Sequence, residues 1–475
     1  MKYQPVIGLE VHAELSTKSK IYCSCSTSFG APINTHTCPV CTGMPGALPV
    51  LNKQVVHYAA KMGLATGCTV NQLCKADRKN YFYPDLPKAY QISQFDVPIC
   101  ENGEVFFYVD GEKKSCRLER IHFEEDAGKL LHDEIDGTVV DFNRCGVPLI
   151  EMVTKPDLHS SAEAKEFLEM IKTTLSDLDI CDCKMEEGSI RCDVNVSVRP
   201  EGSEELGTRV EMKNINTFSG AVRAIDYEVA RQIEVLENGG EIQQETRRWD
   251  DVKLKNTVMR TKEDAQDYRY FPEPDLLTVN IPQQKVEEIA AALPELPLEK
   301  LRRYTGELGI SAQNAHLLYK YKAVCDFFDS CIAQGAGAKN LSNLILGTIY
   351  STLPTEEEKE TFDIKISAED MAQLVKYVDG GKINITLAQM TLSKMLKEGG
   401  ALSDYISEAD LAGVSEGELE ALCREAIAQN PKVAEDFKGG KEKAIGGLFG
   451  YIKRATQGKA DIKKAEAILR KLLSD

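Results

Sequence analysis

The chain has 475 residues, of which 43% are hydrophobic and 28% charged, with a formal net charge of −17. This length predicts two or three domains of a globular protein. An apolar run of about 18 residues is missing from the sequence, which argues against a membrane span. The acidic balance argues against broad, nonspecific nucleic-acid binding. Fifteen cysteines without an export signal favour reduced thiols or metal ligands, so we expect a cytoplasmic protein.

The first predicted element is a strand near the start of the chain, with the sequence GLEVHAEL at residues 8–15. Side chains alternate along a strand, so Glu10, His12 and Glu14 share one face and the apolar residues share the other. Two explanations remain open for the polar face. It is either the solvated side of a half-buried sheet or part of a metal site.

A cysteine-rich loop follows, with the sequence CSCSTSFGAPINTHTCPVC. Its C-x-C and C-x-x-C pairs are Cys23, Cys25, Cys38 and Cys41. Four thiolates at such spacing close a tetrahedron around zinc and leave no open position, which favours a structural zinc knuckle at 23–41. Unliganded thiols are the alternative.

The next segment, KADRKNYFYPDLPKAYQISQ, mixes cations with aromatic residues. It contains Arg78, Lys79 and Lys88 among four aromatic side chains. Such a mixture suits stacking on bases while phosphates are neutralised. A tyrosine-rich loop packed against a sheet explains the composition equally well.

Acidic side chains recur in several later strand-like segments. Glu125 lies in HFEEDAGK, Glu151 in PLIEMV, Asp193 in RCDVNVSV and Glu211 in VEMKNIN. Magnesium prefers hard oxygen ligands and binds phosphate together with one or two carboxylates. Each segment alone is an ordinary polar surface, but their repetition suggests a shared acidic site.

The order of elements predicts an α+β first part and a helical remainder. Helical periodicity covers residues 162–178 and 219–236, and Gly239–Gly240 ends the second helix. Beyond a proline-rich stretch, short helices are expected, including 323–332 and 418–428. We predict domains at 1–292, 293–405 and 406–475.

The end of the chain is locally basic. From Lys432 to Asp475 there are eleven Lys or Arg and six Asp or Glu, an asymmetry that favours an anionic partner. The sequence also lacks a P-loop, a G-x-S-x-G elbow and an amidase-type serine and lysine arrangement. If the chain performs nitrogen chemistry, the ammonia has to be released elsewhere.

The motifs together resemble the B subunit of the tRNA-dependent amidotransferase (the GatB family). The ordered matches run from residue 6 to about 280 and include GLEVHAEL, DRKNYFYPDLPKAYQISQ, HFEEDAGK, DFNRCGVPLIEMV, KMEEGSIRCDVNVSVR, EMKNINTF, ETRRWD and DYRYFPEPDL. Enzymes of this family convert glutamyl-tRNA(Gln) to glutaminyl-tRNA(Gln), or aspartyl-tRNA(Asn) to asparaginyl-tRNA(Asn). The helical C-terminal part also looks like that of the family.

The resemblance implies a cradle-shaped catalytic domain with a mostly antiparallel sheet like that of glutamine synthetase. A helical domain and a tail that touches the tRNA would follow. It also implies ATP and Mg²⁺ as cofactors beside the structural Zn²⁺. The implied partners are a glutaminase subunit of the amidase family, which sends ammonia through a tunnel, and a small third subunit, in a heterotrimer.

The resemblance also suggests site residues. The metal ligands of the family fall on Glu10, His12, Glu125 and Glu151 of this chain, and we add Asp193 and Glu211 for a second ion. Glu125, Glu10 and His12 are therefore the predicted catalytic residues. Arg78, Lys79 and Lys88 are candidates for contacts with phosphate or the tRNA acceptor end.

Two other functions remain under consideration. One is a non-catalytic scaffold that presents charged tRNA to another subunit, although acidic strand faces without metal would repel phosphate. The other is a metal-dependent hydrolase, for which the sequence offers no clear general base.

Overall fold

The computed structural model describes residues 2–132, 136–185, 187–261, 267–411, 415–438, 442–456 and 460–474. The chain divides into two compact units, Met1–Glu299 and Lys300–Asp475. The first unit combines strands with helices, and the described residues of the second are helical. This arrangement confirms the predicted α+β class, with a mostly antiparallel sheet followed by a helical region.

All strands of the described residues lie in the first unit. They are β1 (Tyr3–Glu14), β2 (Thr69–Val70), β3 (Leu73–Cys74), β4 (Asp77–Asn80), β5 (Tyr90–Ser93), β6 (Cys100–Val109), β7 (Glu112–Glu125), β8 (Lys129–Leu131), β9 (Val139–Asp141), β10 (Pro148–Thr154), β11 (Ile190–Pro200), β12 (Val210–Ile215), β13 (Glu245–Asp250), β14 (Lys255–Thr261), β15 (Phe271–Pro272) and β16 (Val279–Asn280).

The main sheet has nine strands among the described residues, in the order β14-β13-β12-β11-β1-β10-β7-β6-β2. Its strand β1 lies between β11 and β10 and is antiparallel to both. The pair β12–β13 is parallel. Directly opposed residues of neighbouring strands share a face of the sheet. The position of β1 therefore brings polar residues of distant chain segments onto one face.

The opposite face of the central strands is apolar and buried. In β1, Leu9, Val11 and Ala13 are at most 1% exposed, and Val194 and Val196 of β11 are fully buried. Burial of each leucine or valine side chain contributes about 1.5–3 kcal/mol. The alternation predicted for residues 8–15 is thus confirmed, since the polar residues of the same strand are only half-buried.

Helices that contact strands of the main sheet include α1 (Lys53–Ala65), α2 (Ser161–Asp177) and α3 (Phe218–Glu237). The two longer helices confirm the predicted ones within two residues. Side chains cap both N-termini, with Ser160 accepting from the amide of Glu163 before α2 and Thr217 accepting from the amide of Gly220 before α3. Gly239 has φ +73° after α3, a conformation that glycine adopts without strain.

Shorter sheets flank the main one. They are β15-β4-β5, β16-β3 and β8-β9. Strand β4 carries Arg78 and Lys79, and β5 lies beside the end of β7, where Gln94 accepts a hydrogen bond from the amide of Phe123 at 3.2 Å. The basic segment predicted from the sequence is therefore held next to the acidic end of β7.

The remaining helices begin with α4 (Gln283–Ala291), α5 (Pro297–Arg302), α6 (Ala312–Tyr319), α7 (Lys322–Ala333), α8 (Ala338–Leu344) and α9 (Glu356–Thr361). They continue with α10 (Ala368–Asp379), α11 (Ile385–Glu398), α12 (Glu408–Leu411), α13 (Glu416–Gln429), α14 (Pro431–Lys438), α15 (Gly446–Ala455) and α16 (Ile462–Ser474). Helices α7 and α13 confirm those predicted at 323–332 and 418–428. No helix of the described residues is long and apolar enough to cross a bilayer.

The end of the second unit has its own hydrophobic cluster. Helices α13, α15 and α16 contribute buried residues that include Leu419, Leu448 and Leu469. This cluster lies within the domain predicted at 406–475. The predicted boundaries at 292 and 405 stay predictions.

Candidate metal sites and their surroundings

Two groups of acidic side chains lie on the polar face of the main sheet. Cross-strand pairing explains both, because His12 is opposite Glu151 of β10 and Glu10 is opposite Asp193 of β11. Residues opposite each other share a face, so β1 brings polar residues more than 100 positions apart into contact.

The first group, cluster A, consists of His12, Glu124 and Glu151. One ligand atom from each lies within 4.8 Å of the others. Glu151 is central: its Oε2 is 3.4 Å from His12 Nε2 and 3.2 Å from Nε2 of His122. Two carboxylates and an imidazole at these distances can hold a divalent cation.

Charge in cluster A is compensated by neighbouring basic groups. Burial lowers the pKa of His12, but the carboxylate of Glu151 outweighs this effect and raises the pKa to about 9. The two histidines in turn hold the pKa of Glu151 well below its usual range, against the effect of its burial. Lys79 lies with its Nζ 3.9 Å from Glu124 Oε2. Basic side chains therefore balance part of the negative charge of cluster A.

The raised pKa of His12 predicts a pH dependence of stability for protein kept metal-free with a chelator. The folded-state pKa of His12, about 9, exceeds the ordinary value of 6.5. Protonated His12 therefore stabilises the fold fully below pH 6.5, and this stabilisation is lost as pH rises through about 9. We expect the urea midpoint of the first unit to fall more steeply between about pH 7 and 9.5 in the native chain than in His12→Asn. Equal slopes in both proteins would contradict this assignment.

The second group, cluster B, consists of Glu10, Asp193 and Glu211, again with ligand atoms within 4.8 Å of one another. Burial and then the nearby carboxylates of Glu151 and Asp193 raise the pKa of Glu10. Asn195 donates to Glu10 Oε1 at 3.0 Å, and a threonine hydroxyl of β13 donates to Glu211 Oε2 at 2.7 Å. Cluster B is thus oriented by hydrogen bonds from β11 and β13.

A lysine ammonium group lies inside cluster B. Lys213 Nζ is ion-paired with Asp193 and is 3.0 Å from Glu211 Oε1. These carboxylates raise the pKa of Lys213 despite the opposing effect of its burial. A cation is therefore held where a second metal ion would bind, and any such ion has to compete with it.

Glu125 is placed differently from the other predicted metal ligands. Glu151 faces His122 across the β10–β7 pair, and Glu125 is three residues beyond His122, on the other face of β7. Glu125 is 2% exposed, and its carboxylate is ion-paired with Lys88 and accepts from the amide of Ile92 at 2.9 Å. Among the described residues, Glu125 belongs to neither cluster.

The three predicted phosphate-binding cations also separate in space. Lys79 approaches cluster A, and Lys88 is ion-paired with Glu125. Arg78 makes a two-pronged ion pair with Glu273, at 2.7 and 2.9 Å, and lies over an aromatic ring of β5. Only Lys79 of these three contacts a carboxylate cluster.

Glu124 and His122 lie at cluster A in the acidic segment HFEEDAGK, of which only Glu125 was predicted from the sequence as a metal ligand. The alternation in His122-Phe123-Glu124 was a usable signal, because it places the two polar residues on one face and the fully buried Phe123 on the other. Choosing between Glu124 and Glu125 required the register of β7 against β10.

A cleft of about 770 Å³ is lined by Glu14 and Arg191, which lie on the polar face of the main sheet. Its walls include Arg144 and the exposed side chain of Phe29. Arg191 donates to Asp126 at 2.7 Å. The residues that line this cleft do not include the members of either cluster.

The four predicted zinc ligands converge. The Sγ atoms of Cys23, Cys25, Cys38 and Cys41 lie within 4.8 Å of one another, and those of Cys38 and Cys41 are 3.9 Å apart. Four sulfurs at about 2.3 Å from a tetrahedral zinc ion are about 3.8 Å apart, so the donor set fits such an ion. We call this group the four-cysteine centre.

The loop of the four-cysteine centre is tied to the segment 140–146. The side chain of Asn34 donates to Val140 O at 2.9 Å and accepts from the amide of Phe142 at 2.7 Å. Gly43, with φ +68°, approaches Lys88 so closely that an added Cβ would lie 2.5 Å from Lys88 Cγ. The loop therefore supports both the segment 140–146 and Lys88.

The chain combines two carboxylate clusters on one sheet with a following helical unit. These features agree with a catalytic domain that is followed by a helical region. The family model described as the GatB/GatE catalytic domain matches residues 5–287. A second model, described as the GatB domain, matches residues 326–473. The two matches cover most of the two units.

Curated relatives are similar along the whole chain. The B subunit of aspartyl/glutamyl-tRNA(Asn/Gln) amidotransferase from Caldicellulosiruptor bescii is 52% identical over 478 residues, which cover 100% of this chain and 99% of that protein. The corresponding proteins of Thermoanaerobacter pseudethanolicus and Clostridium botulinum are 49% and 47% identical, with 100% of this chain and 100% and 99% of the relative covered. The chain therefore belongs to the family of amidotransferase B subunits, which confirms the resemblance of its motifs.

Proposed function

We propose that the chain catalyses ATP-dependent amidation of the side-chain carboxylate of glutamyl-tRNA(Gln), aspartyl-tRNA(Asn) or both. The observation that carries this proposal is the presence of two clusters on one sheet face, each of which could hold a metal ion, in a member of this family. The names of the relatives include both tRNA types, which supports the same substrate class here.

The chemistry explains why a carboxylate has to be activated. Attack by ammonia on a carboxylate would have to expel oxide, which is a very poor leaving group. Phosphorylation by ATP gives an acyl phosphate, from which ammonia displaces inorganic phosphate. Such phosphoryl transfer depends mainly on positioning and charge neutralisation, which bound Mg²⁺ supplies.

The residues of the chain divide this work. The members of cluster A would hold one ion, and the members of cluster B would hold a second. Lys79 and Lys213, beside the two clusters, would neutralise charge on the transferred phosphoryl group. Glu125 remains a predicted ligand and catalytic residue, and it would have to leave Lys88 to reach an ion.

We propose that ammonia comes from a glutaminase subunit through a tunnel, within a heterotrimer that also contains a small third subunit. The relatives are named as one subunit of an amidotransferase, which supports a multi-subunit assembly. The basic segment from Lys432 to Asp475 suits contact with the tRNA body. Zinc in the four-cysteine centre would be structural, because four thiolates leave no position for a reactant.

The experiment that tests this function uses the co-expressed complex with ATP, Mg²⁺, glutamyl-tRNA(Gln) and ammonium chloride, which bypasses the glutaminase. We expect both ADP and glutaminyl-tRNA(Gln) to form, and ADP formation to require the charged tRNA. Omitting the charged tRNA is the control for unrelated ATP hydrolysis. Absence of tRNA-dependent ADP would favour a tRNA-binding scaffold, and tRNA hydrolysis without ATP would favour a hydrolase.

A further inference from the structure

We propose that Lys20 is the buried counter-charge of the four-cysteine centre and that it retains the metal ion there. Lys20 is 0% exposed. Its Nζ donates to Phe142 O at 3.2 Å and to Cys41 Sγ at 3.6 Å. Among the described residues, no ion pair within 4.0 Å joins Lys20 to a carboxylate, and Glu125, which lines the same pocket, is ion-paired with Lys88. This inference rests on the metal assignment of the four-cysteine centre.

A buried ammonium group without a counter-charge is costly, because low-dielectric surroundings disfavour the charged form. Four neutral thiols supply no such charge. Four thiolates around a divalent ion carry a net charge of about −2, which the ammonium group reduces to about −1. Lys20 and a metal-loaded four-cysteine centre therefore stabilise each other through an N–H···S hydrogen bond to Cys41.

The surroundings of Lys20 show that it also joins chain segments. Its amide donates to Cys25 O at 3.0 Å, inside the cysteine loop. Its ammonium group reaches Phe142, and the next residue, Ile21, donates to Gly146 O at 2.9 Å. Loss of the metal would thus leave a buried charge between the loop and segment 140–146, and both would open.

The direct test measures zinc in the purified full-length chain and its release to a colorimetric chelator, in native protein and in Lys20→Met. Partners outside the first ligand shell typically change metal affinity by about 10- to 100-fold. We expect about tenfold faster release from Lys20→Met and near-native release from Lys20→Arg. The matched control is Lys61→Met, because Lys61 Nζ also donates to a backbone carbonyl, Leu178 O, but has no hydrogen bond to a cysteine among the described residues.

Native release rates in Lys20→Met would overturn the role of Lys20 while leaving the metal site intact. A native chain without bound metal would overturn the metal assignment as well. Neither result depends on ATP or tRNA, so amidation activity is judged separately.

If Lys20→Met does not fold, the native chain provides the test. After removal of zinc by a chelator, trypsin should cleave after Lys20 at least about tenfold faster, and added zinc should restore protection. Continued protection of this bond in zinc-free protein would overturn the proposal.

Discussion

Replacing Glu151 with glutamine should abolish both ADP release and amide formation by the complex. Glu151 lies between His12 of β1 and His122 of β7, so it is the anionic centre of cluster A. Loss of a residue that only orients a metal ligand typically lowers metal affinity or activity by about 10- to 100-fold. Loss of a ligand should therefore lower kcat/KM for charged tRNA by at least about 100-fold.

The assay follows ADP and glutaminyl-tRNA(Gln) with ammonium chloride as the nitrogen source. A matched control is Glu119→Gln, because Glu119 is a glutamate of β7, the strand paired with β10, but is half-exposed and ion-paired with Lys155 at 2.8 Å. Exposed ion pairs contribute little to the stability of the fold, so this variant should keep near-native activity. Full activity in Glu151→Gln would rule out a metal role for cluster A.

The second prediction compares two neighbouring glutamates. Glu124→Gln should raise the Mg²⁺ concentration for half-maximal activity by about 10-fold or more, because it removes a charged ligand of cluster A. If Glu125 stays paired with Lys88, as in the structure, Glu125→Gln should lower activity at saturating Mg²⁺ by at least about tenfold without changing that concentration. The physical reason is that Lys88 would keep a buried charge without its partner.

A double variant separates the two roles of Glu125. If Glu125 acts through Lys88, the double variant Glu125→Gln/Lys88→Met should lose less activity than the two single variants lose together. If Glu125→Gln raises the Mg²⁺ requirement as much as Glu124→Gln does, then Glu125 leaves Lys88 and binds the ion, as the motif resemblance predicted.

The four-cysteine centre shows what can be predicted from sequence. Its ligands are two close pairs within residues 23–41, and spacing alone identified the donor set that the structure brings together. The helices α2 and α3 were predicted for a similar reason, since helical periodicity and the glycines that end α3 are local signals.

The acidic face was only partly predictable. Alternation correctly placed Glu10 and His12 on one side of β1, but it could not show which residues of β7, β10 and β11 lie opposite them. Lys213, which occupies cluster B, is an ion-pair partner of Glu211, and this contact was not predicted from the sequence. Such contacts depend on the register between strands, which is a long-range property.

The sequence by itself determined the family, the fold class, the donor set of the four-cysteine centre and the polar side of β1. The tertiary structure alone decided that the carboxylates form two clusters, that Glu124 belongs to one of them, and that Glu125 pairs with Lys88 instead. The physical reason is that helix and strand periodicities repeat over a few residues, whereas a site on a sheet is assembled from strands more than 100 residues apart. A one-residue difference in register moves a side chain from one face to the other.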